Sequence, residues 1–190
     1  IRALNSTIAG GSNTAIGAFA MRLNTSGANN TAVGYQAGYS NITGAQINAF
    51  GWKALFSNTA SNNVAIGAEN LYSNTTGTNN SACGARDGAG YAPLYSNTTG
   101  SSNSAFGAGA LALNTTASNN TAVGYQAAYA ATGAYTTFVG AQAGYNNTEA
   151  STGNVGIGYQ AFKANTTGYG TAVGGQALLS NTTGINNTAI

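Results

Sequence analysis

The chain has 190 residues, carries five cationic and three acidic side chains for a net charge of +2, and contains no histidine and a single cysteine. That balance excludes a basic nucleic-acid stripe, an internal disulfide framework and catalysis or metal binding through imidazole. Average globular domains are roughly a quarter charged, and disordered chains pair high net charge with few apolar residues; here 43% of the chain is hydrophobic and its apolar positions keep phase.

Read from the N-terminus, one unit of about seventeen residues recurs throughout. Its marker is a small residue, an apolar residue and a glycine. It runs Ala15-Ile16-Gly17, Ala32-Val33-Gly34, Ala49-Phe50-Gly51, Ala65-Ile66-Gly67 and Ala82-Cys83-Gly84. It continues as Ala105-Phe106-Gly107, Ala122-Val123-Gly124, Phe138-Val139-Gly140, Gly156-Ile157-Gly158 and Ala172-Val173-Gly174. Successive marker glycines are 17, 17, 16, 17, 23, 17, 16, 18 and 16 residues apart. A fixed short period is the signature of a solenoid, so the whole of 1–190 reads as one repeat array. The unit is in progress at Ile1 and at Asn187-Thr188-Ala189-Ile190, so the array is expected to be a window of a longer chain, its ends covered by further coils or subunits.

With the marker glycine as position 0, an apolar residue stands at −1: Ile16, Val33, Phe50, Ile66, Cys83, Phe106, Val123, Val139, Ile157 and Val173. This column is expected to form a continuous narrow core, with Cys83 as a buried structural thiol. Alanine dominates +3, and larger apolar residues such as Met21, Leu55, Leu71, Leu111, Phe162 and Leu178 occupy +4. An Asn-Thr-Thr-Gly-like turn follows. Glycine and β-branched residues throughout, with a turn in every unit, disfavour helices and favour short strands. The expected fold is therefore all-β, a parallel β-solenoid (β-roll or β-helix) of about eleven coils stacked at about 4.8 Å. Asparagine and threonine columns would form ladders at the turns. Two aromatic columns, one with Tyr35, Trp52, Tyr125 and Tyr159 and one with Tyr39, Phe56, Tyr72, Tyr95 and Tyr129, add surface to bury, which points to an intertwined or packed oligomer.

The blocks Asn13 to Gly17, Asn30 to Gly34, Asn120 to Gly124 and Asn187 to Ile190 resemble the head repeats of trimeric autotransporter adhesins, and also shaft repeats of bacteriophage tail fibres. The resemblance implies a left-handed parallel β-roll of three chains, an extracellular, cell-surface or virion-fibre location, and no catalytic residues or cofactor.

The residues themselves carry little chemistry. Glu69, Asp87 and Glu149 are too scattered for a glycosidase pair or a calcium site, and no apolar run is long enough to cross a bilayer as a helix. An enzyme is not expected. The turn asparagines Asn24, Asn41, Asn74, Asn97, Asn114, Asn165 and Asn181 each begin an Asn-x-Thr/Ser sequence, as do Asn29, Asn79, Asn119, Asn146 and Asn186. They are candidate glycosylation acceptors, weighed against the simpler reading as turn and ladder residues. One coil, 85–106, carries a six-residue excess and the only proline. Its Arg86, Asp87 and Tyr91 are the candidates for a binding loop, weighed against a tolerated surface bulge. The expected function is a structural repeat segment of an extracellular fibre, filament or adhesin stalk. Its expected partners are other copies of the chain, as a trimer or filament, with no nucleic acid and no membrane insertion. The alternative is a glycan-binding or ice-binding surface.

Overall fold

Each marker places small or β-branched residues where a chain must lie flat against its neighbours, and each marker forms a strand. The computed structural model describes residues 3–4, 10–148 and 153–190; Ile1, Arg2 and Glu149 lie outside them. Among the described residues eleven strands follow in chain order: β1 (Thr14–Ile16), β2 (Thr31–Val33), β3 (Asn48–Phe50), β4 (Val64–Ile66), β5 (Ser81–Cys83), β6 (Ser104–Phe106), β7 (Thr121–Val123), β8 (Thr137–Val139), β9 (Val155–Ile157), β10 (Gly170–Val173) and β11 (Asn187–Ala189). All pair in parallel, each with its sequence neighbour, in one sheet. Register follows the marker, as in Ala15↔Ala32 and Val123↔Val139, even across the 23-residue coil, where Ala82 meets Ala105. The fold is a parallel β-solenoid.

Two requirements fall on the marker glycine together. Its φ lies between 120° and 149°, a region closed to ordinary L-residues. A Cβ on Gly17 would also sit 2.7 Å from the Gly34 carbonyl oxygen, and one on Gly34 2.5 Å from that of Gly51. The coils touch backbone to backbone here.

Between marker and turn the backbone alternates in hand, which the composition did not foretell. Non-glycine residues at +2 and +4 take positive φ, among them Gln36 (55°), Lys53 (53°), Leu55 (51°) and Leu71 (53°). A left-handed residue costs about 1–2 kcal/mol. Each is held by a bond to a neighbouring coil. Position +2 donates to the coil before, as Lys53 N to Tyr35 O at 2.9 Å, and +4 to the coil after, as Leu55 N to Asn70 O at 3.0 Å.

The core is not the column expected. Ile16, Phe50, Ile66, Phe106, Val123 and Ile157 at −1 are between 39% and 59% exposed, and Val33, Cys83, Val139 and Val173 are half-buried. Alternation along a strand places −2 opposite to −1, and it is the small −2 residue that points inward. Ala32, Ala49, Ala65, Ala82, Ala105, Ala122 and Ala172 are buried, together with the alanines at +3 and the larger residues at +4. Cys83 is therefore a free thiol on the outer face rather than a core group.

So narrow an interior tolerates a change of volume only when a neighbour compensates. Phe138 replaces the usual alanine at −2 and is fully buried. Its ring fills space vacated at Gly144 and Gly156, where added Cβ atoms would lie 2.5 Å and 2.7 Å from it. Ile47, in a column otherwise rich in asparagine, likewise packs over Gly38, with its Cδ1 3.4 Å from where a Cβ would stand. Phe138→Ala alone should cost about 3–5 kcal/mol, as for a large-to-small change in a rigid core. Adding Gly144→Leu and Gly156→Ala restores the residues of the other coils and should recover most of that loss in urea denaturation. A triple variant no more stable than Phe138→Ala would refute the compensation.

Candidate interaction faces

Inside the turns run two asparagine columns. At +7, counted in the expanded coil past its six extra residues, Asn24, Asn41, Asn74, Asn97, Asn114 and Asn165 are fully buried, and Asn181 is half-buried. Their amide nitrogens point into the coil. Asn97 Nδ2 donates to Asn74 Oδ1 (2.8 Å) and to Gly100 O (2.9 Å), and Asn114 Nδ2 donates to Asn97 Oδ1 (2.8 Å). Asn181 Nδ2 donates to Gly184 O (3.0 Å). For these residues the atom a sugar would join is used inside the fold, which favours the turn-and-ladder reading over glycosylation. Asn29, Asn79, Asn119, Asn146 and Asn186 are exposed.

The second column, at −4, clamps successive coils. Asn30 Nδ2 donates to Gly44 O (2.9 Å), while its Oδ1 accepts from the Ile47 N–H (2.9 Å). Asn80 repeats the pattern with Gly100 O (2.8 Å) and the Asn103 N–H (3.0 Å). On the surface, threonine hydroxyls extend the ladder, as Thr75 Oγ1 to Thr98 O at 3.0 Å.

The inserted loop is put to use by the coil after it. Asp87 is 6% exposed. Its Oδ1 accepts from the N–H groups of Ala89 (3.0 Å) and Tyr91 (2.9 Å), which closes the loop on itself. Its Oδ2 accepts from Gln126 Nε2 (2.9 Å) across the site of Gly109, where a Cβ would lie 2.9 Å from that oxygen. Gln126 then accepts from Gln142 (3.1 Å), Gln142 from Gln160 (2.9 Å) and Gln160 from Gln176 (3.4 Å). Every amide dipole in this chain points toward the carboxylate, an arrangement in which neighbouring bonds reinforce one another.

Tyr91 completes an aromatic column at +5. Tyr39, Phe56, Tyr72 and Tyr95 stack with centroids 5.2, 5.1 and 5.3 Å apart, and Tyr129 stacks on Tyr145 at 5.1 Å. The coil between these groups has Ala112 at +5. Tyr91 enters there, edge-on to Tyr95 (5.6 Å) and Tyr129 (6.0 Å). Arg86 is drawn elsewhere, pairing with the buried Glu69 and lying 5.0 Å over the Trp52 ring, whose neighbour Lys53 is 4.6 Å from the same ring. The three loop candidates thus do not converge on one site. Each closes a gap or pairs with a residue on another coil. Sequence spacing marked the loop; the signal for its packing role was the simultaneous loss of bulk at Gly109 and Ala112.

What the marker leaves exposed on the strand face is apolar. The −1 residues face outward beside Tyr35, Trp52, Tyr125 and Tyr159 at +1, which are between 42% and 55% exposed. Among the described residues, no three Cys, Asp or Glu side chains gather as metal ligands would, and no helix is long and apolar enough to cross a membrane. No protein-family model matches the chain, and no curated protein or solved structure is significantly similar to it.

Two tests follow from these columns. Ala131 interrupts the +7 ladder, and the buried Asn114 Oδ1 and both polar atoms of Asn147 on either side of it lack a partner. Ala131→Asn should raise stability by about 1–2 kcal/mol, and Asn97→Ala should lower it by about 1–3 kcal/mol. Thermal or urea unfolding reads both; no change in either variant, or a less stable Ala131→Asn with a more stable Asn97→Ala, would mean the ladder does not stabilise the fold. The second test is alkaline. Burial, then the negative charge of Asp87 and the tyrosines Tyr145, Tyr91 and Tyr125, push Tyr129 up from 10.0 to about 12. Burial, then Glu69 and Tyr72, raise Tyr95. The folded chain holds the Tyr129 proton where the unfolded chain has released it, so this contribution is complete below pH 10 and is lost as pH rises toward 12. Tm should fall over that window, and less steeply in Tyr129→Phe; equal slopes would show that Tyr129 titrates normally.

Proposed function

We propose that the chain is a non-catalytic structural segment of an extracellular fibre, filament or adhesin stalk. The observation that carries this reading is axial uniformity. The same connections join nearly every coil to the next: an in-register strand pair, a glycine backbone contact and asparagine clamps, with stacked rings over much of the length. Extension along the axis must break several of these at each coil. Eleven strands at about 4.8 Å make a rod segment of about 50 Å.

The low charge and the near-absence of catalytic residue types agree with a passive scaffold. A second reading, glycan binding, draws on the exposed rings at +1, since aromatic faces suit sugar rings. Cryo-electron microscopy of the protein from its native source separates the two. A continuous fibre with an axial repeat of about 4.8 Å is expected. Discrete particles that bind on a glycan array, and never a fibre, would replace the structural reading with the second.

A further inference from the structure

We infer that the outer strand face is a lateral docking surface for a second copy of this chain; this rests on the fibre reading and names its partner. Ten −1 side chains, from Ile16 to Val173, stand outward in one unbroken column with no charge among them. Water-exposed apolar surface of that extent and continuity marks an association site. The −2 alanines and the ladders already fill the interior, so no rearrangement within the coil can bury this column.

A second copy is the occupant that fits. The apolar residues recur once per coil, at about 4.8 Å. A partner must offer rows at the same interval along the whole length, and this chain does so by construction. Knobs and holes also line its rim, at +1, where the chain bends after the marker glycine. In an antiparallel pair centred between the coils of Gly107 and Gly124, Trp52 meets Gly175, Tyr159 meets Ala68 and Tyr125 meets Ala108. Like columns face one another about a two-fold axis, as an isologous interface requires. The shared length is eight coils, about 38 Å, and the strand face from −3 to −1 is about 10 Å wide. Each copy then contributes about 400 Å² from the strands, about 800 Å² for the pair before the +1 rings at the rim are added, which is the size of a weak self-association.

Sedimentation equilibrium on the 190-residue chain tests this. The wild type should sediment at twice 18.7 kDa. The double variant Phe50→Lys/Phe106→Lys, at side chains 40% and 44% exposed, should sediment at half the wild-type mass with unchanged circular dichroism. Thr76→Lys, on an exposed turn, should keep the wild-type mass. If the double variant loses its fold, Phe50→Ser/Phe106→Ser replaces it with the same expectation. A wild type that stays monomeric at hundreds of micromolar overturns the inference. So does a strand-face variant of unchanged mass, or loss of association in Thr76→Lys. Electron microscopy of the same samples separates this from the parent reading: fibres that persist in the strand-face variants leave the fibre standing and remove the lateral contact.

Discussion

Close backbone contact at the marker glycines governs this structure. Gly17, Gly34 and Gly51 succeed one another with no space for a methyl group between one glycine and the next carbonyl. Their φ values exclude side chains a second time. The contact holds the coils at strand separation, and at that separation equal positions stack. An asparagine can then reach the next asparagine, and a ring the next ring, only because the glycines keep the phase. Coils of 16, 17, 18 and 23 residues are all brought back to the same register at the marker. Length variation is absorbed between markers, never at them.

The second constraint is volume. An interior lined by alanine on two columns has no slack, so residues of unusual size come in compensating sets. Phe138 goes with Gly144 and Gly156, Ile47 with Gly38, and Tyr91 and Asp87 with Ala112 and Gly109. The last set gives the inserted loop a reason in packing. It supplies from the preceding coil the ring and the polar group that the following coil lacks. Its exposed tip, Gly88 to Gly90, is the part left without such a task.

Period, phase, strand positions and parallel register were legible in the sequence, because they depend on where small residues and turns recur. The inside and the outside were not. The rule that apolar residues point inward fails along the strand, whose inner position holds alanine in nearly every coil, and where asparagine satisfies itself by stacking on its own kind. A usable signal was present. Column −1 varies among Ile, Val, Phe and Cys, whereas −2 is alanine in all but two markers and +7 is asparagine in all but one coil. A close-packed site holds its volume constant and a surface site need not. The left-handed Gln, Lys and Leu residues had no such signal, since their conformation is set by inter-coil hydrogen bonds that exist only once the coils are stacked.

This inversion divides the forces between two directions. Along the axis, cohesion comes from the interior: backbone bonds, asparagine clamps and the glutamine chain that ends at Asp87. These are directional, saturated by the neighbouring coil, and leave little for an outside partner to use. Across the axis, what the chain offers is apolar area at −1 and +1, which is non-directional and additive over coils. A lateral contact made through this area would strengthen in proportion to length, while axial strength is fixed by each coil-to-coil junction. Adding coils would change how firmly such a chain could hold a neighbour without changing how firmly each coil holds the next.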